Sequence, residues 1–418
     1  MQKLIIKGKK TLSGSIKISG SKNATLPILA AAILTDKTLI LKNIPFVQDV
    51  YTMINLLKFI GLSVKVSKKK NTLNISNNKK LKTVAPYNLL KTMRAGVLVL
   101  GPLLAKYNKA KVSLPGGCAI GARPVDLHLF ALEKLGAKIK IKNGYIHASA
   151  KNGLKGAIIK FPSISVGATE NAILAAVSAK GKTIISNCAI EPEIQDMILF
   201  LKKMGCNVNF IGKRKILVNG ISKFKSVSHE IIFDRIELGT YLIAGALIGK
   251  KIIFNKINPI IADTEIKIMK KMGVRMKIEK NRIIVFESKK INSISIKTEA
   301  YPGFPTDLQA QIMVLMSKAK GISKVQESIF ENRFMHVPEL RRMGAKINIK
   351  NNTATVTGPT NLSGAEVMAT DLRASVSLVL AALIADKKTV INRVYHLDRG
   401  YENLEKKLKK CKANINRT

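Results

Sequence analysis

Polar and apolar positions along the 418-residue chain recur with a period of about 70 residues. One recurring segment has the form apolar-basic-x-apolar-Gly-x-x-apolar, with some drift. It is seen in Leu57-Lys58-Phe59-Ile60-Gly61-Leu62-Ser63-Val64 and in Leu132-Glu133-Lys134-Leu135-Gly136-Ala137-Lys138-Ile139. It returns at 201–208, 269–276 and 340–347, and in degenerate form at 408–415, where Lys412 takes the glycine position. The glycines lie 75, 69, 68 and 71 residues apart, and Lys412 follows after 68 more. The chain therefore reads as six units.

This spacing predicts an amphipathic helix ending at the glycine, which supplies a left-handed cap. The alternation that follows, as in Ala137-Lys138-Ile139-Lys140-Ile141, predicts a half-buried strand. Asn143-Gly144 predicts a hairpin turn after it. A second marker precedes each such segment: an apolar helix, a short turn and a β-branched strand. It is clear at 29–41, 174–185, 242–254 and 378–391, and weaker at 98–114 and 314–325. These helices are apolar almost all round, which implies burial. Each unit thus reads helix, strand, helix, strand, strand, and sheets surrounding buried helices give an α/β fold. Six units exceed one ordinary domain, so two lobes of three units are expected. The seam falls near Ile231-Ile232-Phe233, giving one lobe of 22–232 and another of 1–21 with 233–418. A first strand, about 3–20, is expected to pair back with the C-terminal half. A cleft between two lobes suits closure on a substrate.

Composition adds limits. Hydrophobic residues make up 46%, enough for a sizeable core, while aromatics are 5% and Trp is absent. No run of apolar residues is long enough to span a membrane. The start, Met1-Gln2-Lys3-Leu4-Ile5-Ile6-Lys7, lacks the apolar region of an export signal. A cytoplasmic protein without membrane insertion is the expectation. The four cysteines, 118, 188, 206 and 411, lie far apart without metal-ligand spacing, so free thiols are expected. The net charge of +45 has two readings. A basic chain attracts nucleic acid. Alternatively, Lys is simply abundant alongside Ile and Asn. The lysines are scattered through every segment and are not interleaved with aromatics, which favours the second reading and argues against a nucleic-acid partner. The charge still assists capture of small anions.

Several segments depart from the repeat. Leu114-Pro115-Gly116-Gly117-Cys118-Ala119-Ile120-Gly121-Ala122-Arg123-Pro124 sets a thiol in a glycine-rich loop near an arginine. Arg123, if close, favours the thiolate and holds an anion; locally, Cys118 reads equally as an inert small apolar residue. Cys188, Cys206 and Cys411 read as structural. Ser21-Lys22-Asn23-Ala24 precedes an apolar helix and reads as an anion site or as a surface cap. In Phe304-Pro305-Thr306-Asp307-Leu308-Gln309, Asp307 reads as a general base or as a first-turn carboxylate. Arg94, Arg333, Arg373 and Arg399 stand out in a lysine-dominated chain, as bidentate anion ligands or as surface ion pairs.

Taken together, these segments resemble one family. Ser21–Ala24, Thr92-Met93-Arg94-Ala95, PGGCAIGARPVDLH from Pro115, Ser165-Val166-Gly167-Ala168-Thr169, Glu191-Pro192-Glu193-Ile194, FPTDLQAQ from Phe304, FENRFMHVPEL from Phe330, MATDLRAS from Met368 and HLDRGYE from His396 occur in its order. The family is that of the UDP-N-acetylglucosamine 1-carboxyvinyltransferases, within the EPSP synthase superfamily. The resemblance implies a two-lobed inside-out α/β barrel of six βαβαββ-like units, three per lobe, with the active site in the cleft. It implies transfer of an enolpyruvyl group from phosphoenolpyruvate to the sugar 3′-hydroxyl, the first committed step of peptidoglycan synthesis, by a monomer without a cofactor or metal.

Residue by residue, the resemblance implies that Cys118 protonates the methylene carbon of phosphoenolpyruvate, can carry a phosphothioketal adduct and is the thiol alkylated by fosfomycin. Asp307 matches the acid near the 3′-hydroxyl. Lys22, Arg123 and Arg399 match residues around phosphoenolpyruvate. Asn23, Arg94, the run Arg123, Pro124, Val125, Asp126 and Leu127, then Asp307 and Ile329, match positions around the UDP-sugar. Arg333, Asp371 and Arg373 match charged residues lining the cleft. Ser163 stands where some relatives carry a lysine on the diphosphate. The residue types suit the chemistry: an enol carbon must gain a proton while an alcohol attacks its neighbour, which needs an acid, a base and fixed cations. A shikimate-branch enolpyruvyl transferase and a basic nucleic-acid-binding repeat protein are the alternatives; the PGGC and RPVDLH segments argue against the first.

Overall fold

The repeated helices end alike because their last turns are built alike. In the computed structural model, which describes residues 2–77, 79–116 and 125–418, they are Gln48–Ile60, Asp126–Lys134, Pro192–Lys203, Asp263–Lys271, Val337–Arg342 and Leu404–Lys410. Behind each, two backbone bonds close the same cap. The residue after the glycine donates to the first apolar residue of the motif: Leu62 to Leu57, Ala137 to Leu132, Cys206 to Leu201, Val274 to Met269, Ala345 to Leu340 and Ala413 to Leu408, each at 3.0 Å. The residue at the glycine position donates three residues back, as from Gly136 to Glu133 and from Lys412 to Lys409. This pair of bonds requires positive φ at that position. It is +123° at Gly61, +94° at Gly136 and +88° at Gly273, and Lys412 adopts 72° without the freedom of glycine. The apolar residues at the two ends of the longer bond are all buried, which explains the sequence motif.

Strands follow as expected. Asn143 and Gly144, with φ of 52° and 72°, turn Lys138–Lys142 into Tyr145–Ser149. Among the described residues the strands form six four-stranded sheets. Each holds an antiparallel pair, a hairpin in five of them, with a third strand antiparallel to it and an outer parallel strand; one runs Val84–Ala85, Lys109–Ser113, Tyr145–Ser149, Lys138–Lys142. The predicted first strand, about 3–20, is instead two strands in different sheets, separated by a turn at Lys9 with φ 59°. Leu4–Lys7 pairs antiparallel with both Lys388–Asn392 and Asn414–Arg417. It thereby completes the order strand, helix, strand, helix, strand, strand begun at Glu366–Met368. Leu12–Ser15 lies parallel to Gly249–Asn255, and Val227–Glu230 lies parallel to Leu39–Lys42.

The chain divides into two compact units. The first comprises 20–116 and 125–232, the second 2–19 and 233–418, and each has its own apolar core. In the first, helices Lys22–Ala31, Leu100–Tyr107 and Val166–Ala176 are mostly buried. In the second, Arg235–Ile248, Gln309–Met316 and Ser375–Ile384 take the same role. Among the described residues no helix is long and apolar enough to cross a membrane. Cys188, Cys206 and Cys411 are buried free thiols. Burial pushes Cys188 up to about 11 and Cys206 up to about 12, and raises Cys411, so all three stay protonated and inert.

Candidate functional site

In the first unit the chain enters helix Lys22–Ala31 through Ser21, whose hydroxyl accepts from the Ala24 N–H at 3.3 Å. Ser21 and Lys22 are both buried, so this segment is no surface cap. An ammonium removed from water needs a carboxylate. Asp49, at the start of Gln48–Ile60, supplies it at 3.2 Å. Asn23 remains half-buried.

Arg94 opens the turn Arg94–Val99 and is half-buried beside His128. The amide of Asn171 fixes that ring. Its oxygen accepts from the Gly101 N–H at 2.8 Å, so its nitrogen donates to the Val97 carbonyl and to Nδ1 of His128, the latter at 3.1 Å. The ring proton then belongs on Nε2. Burial, then the Arg94 charge, brings the His128 pKa down to about 3. Glu170, beside Glu191 and Glu193, is held well above the carboxylate range by burial and by those two charges. Val125 is buried, Leu127 half-buried and Asp126 exposed. Cys118, Arg123 and Pro124 lie outside the described residues.

The second unit holds an ion-paired group around Asp307, which sits in the turn Thr306–Leu308 ahead of Gln309–Met316. Nη2 of Arg333 donates to its Oδ1 at 2.8 Å, and Nε of Arg373 lies 3.6 Å from its Oδ2. Both arginines are buried, while the Asp307 side chain keeps 27% of its surface open. Arg333 and Arg373 are therefore not surface ion pairs. Arg373 is further held by Asp234 at 3.3 Å and the Gly400 carbonyl at 3.4 Å, and lies 5.2 Å from the Tyr401 ring centre. Burial opposes its charge, but Asp234, Tyr401 and Asp307 outweigh that and raise its pKa. Two buried arginines thus fix the orientation of a partly open carboxylate, leaving it within reach of a hydroxyl donor.

Two further carboxylates set the local backbone. Asp371 accepts from the N–H groups of Arg373 and Ala374, each at 2.8 Å, and so starts the turn into Ser375–Ile384. Glu327 is buried. Its Oε1 accepts from the Thr298 hydroxyl and the Ile329 N–H at 2.9 Å, and from the Phe330 N–H at 3.2 Å; its Oε2 accepts from the Thr306 hydroxyl at 2.9 Å. One side chain thus ties the Ile329 segment to the residue before Asp307. Ile329 itself is exposed. Arg399 is half-buried, and its charge, after burial, helps lower the pKa of His396. Burial brings His336 down to about 4, against the opposing pull of Asp371.

Sequence reading missed Asp49, Asp234, Glu327 and Tyr401 as partners. Asp234 alone carried a signal. It is an acid just ahead of an apolar helix, and it caps that helix through Ile236 and Glu237, each at 2.9 Å. Among the described residues no group of His, Cys, Asp and Glu is arranged to hold a metal ion.

A family model described as EPSP synthase (3-phosphoshikimate 1-carboxyvinyltransferase) matches residues 6–408. The UDP-N-acetylglucosamine 1-carboxyvinyltransferase of Pelagibacter ubique is 59% identical over 100% of both chains. That of Endomicrobium trichonymphae is 51% identical over 99% of each. Among solved structures, the enolpyruvyl transferase NikO from Streptomyces tendae aligns with a TM-score of 0.90 at 22% identity, covering 100% of this chain and 99% of that one. EPSP synthase from Acinetobacter baumannii aligns at 0.77 with 16% identity over the same shares. These two structures share the fold.

Proposed function

The chain belongs to the EPSP synthase family, among its UDP-N-acetylglucosamine 1-carboxyvinyltransferases, and from that membership we propose that it transfers the enolpyruvyl group of phosphoenolpyruvate to the 3′-hydroxyl of UDP-N-acetylglucosamine, releasing phosphate. Full-length identity to enzymes of that name supports the substrates. The observation that carries the chemistry is the Asp307 carboxylate, partly open and held by two buried arginines. It takes the hydroxyl proton as the sugar oxygen bonds to C2 of phosphoenolpyruvate. The Cys118 thiol gives its proton to C3. The tetrahedral adduct then loses a proton from C3 while the C2–O bond to phosphate breaks.

Lys22, Arg123 and Arg399 hold the anionic groups of phosphoenolpyruvate in this scheme. Asn23, Arg94, Arg123, Pro124, Val125, Asp126, Leu127 and Ile329 meet the UDP-sugar, and Arg333, Asp371 and Arg373 set Asp307. The enzyme acts as a monomer in a bacterial cytoplasm, at the first committed step of peptidoglycan synthesis. Phosphate release from phosphoenolpyruvate is measured with each acceptor in turn. Turnover with UDP-N-acetylglucosamine and none with shikimate 3-phosphate is expected; the reverse pattern sinks the assignment. Cys118→Ser is expected to abolish turnover, and full activity in that variant removes the thiol from its role as acid.

A further inference from the structure

Lysine is not evenly spread once the chain is folded. Residues 50–169 carry twenty-one Lys and Arg against two acids, Asp126 and Glu133. Within that stretch lies the sheet of Val84–Ala85, Lys109–Ser113, Tyr145–Ser149 and Lys138–Lys142. Its register lines up three cross-strand rows on one face: Lys109, Ser149, Lys138; then Val84, Lys111, His147, Lys140; then Ser113, Tyr145, Lys142. The alternate residues Ala110, Val112, Ile146 and Ala148 are buried, and apart from the buried Ser113 the rows face solvent, with Lys109, Lys111, Lys138, Lys140 and Lys142 all exposed. Strand spacing and rise put the five lysines in a patch of about 10 by 14 Å.

Among the described residues no ion pair engages any of the five, whereas nearby Lys106 pairs with Asp36. The corresponding face of the Leu39–Lys42 sheet is diluted, as in the row Lys65, Asn74, Ile40, Ser228, while that of the Lys346–Lys350 sheet carries Lys324, Lys346 and Lys350 spaced by Asn348 and Thr355. Like charges packed on one face repel in the folded chain, and a negatively charged counter-surface removes that cost.

We propose that this face adsorbs to the surface of an anionic lipid bilayer. The lysines share one exposed face of a sheet, so a single extended surface can meet them together. Its cations are lysine point charges, which suit a diffuse field of headgroups, rather than arginine forks that read phosphate geometry. At its margin Val84 and Tyr87 are exposed, and the Tyr87 N–H meets the Tyr145 hydroxyl at 3.4 Å; tyrosine favours the headgroup level. A nucleic-acid platform needs open aromatic rings for stacking. Here Nζ of Lys111 lies over the Tyr145 ring, 4.8 Å from its centre.

The test is co-sedimentation of the full chain with vesicles of phosphatidylcholine alone or mixed with phosphatidylglycerol, at low and high salt. K138Q/K140Q/K142Q is compared with K324Q/K346Q/K350Q, a charge-matched control on a sheet of the second unit. Wild type is expected on the mixed vesicles only, released by salt. At about fivefold per lysine, the first triple loses binding about a hundredfold while the control changes little. Equal loss in the two triples, equal binding to neutral vesicles, or no binding at all overturns the proposal. So does tighter, salt-sensitive capture of duplex RNA that the first triple abolishes, which makes nucleic acid the partner. Phosphate release should be unchanged in both triples.

Discussion

Glu327→Ala removes the acceptor for two hydroxyls and two N–H groups. The four are not equal. Ile329 is exposed and Phe330 half-buried, so water replaces most of what their N–H groups lose. Thr298 is fully buried, and its hydroxyl, which already accepts from the Ser328 N–H at 3.0 Å, is left with a proton and no acceptor. A buried donor in that state costs about 1–3 kcal/mol, and the lost charged acceptor adds about 1 kcal/mol. A total loss of about 2–4 kcal/mol is expected, read as a lower urea midpoint. Thr306, next to Asp307, loses its anchor too. A displacement of about 1 Å at a reacting group costs up to about a hundredfold in rate, so kcat should fall tenfold to a hundredfold while KM for the UDP-sugar rises through the Ile329 segment. Glu327→Gln keeps an oxygen for the N–H groups and can donate to Thr306, so it should recover most of both losses. Stability and kcat within error of wild type in the alanine variant would falsify this reasoning.

Other outcomes follow from single features. Asp307→Asn removes the proton acceptor while keeping shape, so kcat should drop by about two to four orders of magnitude, read by phosphate release; an unchanged kcat excludes Asp307 as the base. Lys412→Gly relieves a left-handed lysine at 72°, worth about 1–2 kcal/mol, less about 0.4–1 kcal/mol of unfolded-chain entropy; a small rise in urea midpoint is expected and a fall contradicts it. His128 and His336 are both shifted down, to about 3 and about 4, so their rings should give neutral-imidazole nitrogen shifts at about pH 5.5. The sign follows: their stabilising contribution is complete above the unfolded value of about 6.5 and is lost as pH falls through 6.5 toward 4, at about 1 kcal/mol per ring by pH 5.5. A charged ring at that pH refutes the burial argument.

What was legible in the sequence was whatever local physics decides. The helix caps were readable because glycine, the flanking apolar pair and the following alternation all belong to one short window, and Asn143-Gly144 marked its hairpin for the same reason. The segment 3–20 read as one strand because both halves alternate; only pairing with residues several hundred positions away separates them. Asp307 stood out by its proline-rich approach, yet its state depends on Arg333, Arg373 and Asp234, brought in from three distant segments. Nothing local marks Asp49 as the partner of Lys22 or Glu327 as a tie between two loops. The lysines looked scattered because the rows they form cross strands, and register is a property of the folded sheet.

The central claim is addition followed by elimination at phosphoenolpyruvate. It is tested most directly by running the reaction in deuterium oxide with UDP-N-acetylglucosamine and analysing the product by mass spectrometry and proton NMR. The account predicts one phosphate released per enolpyruvyl ether formed, with solvent deuterium in its methylene group, because C3 gains a proton through the exchangeable Cys118 thiol before losing one. Phosphate release that needs no UDP-sugar, or an ether free of deuterium, would contradict it.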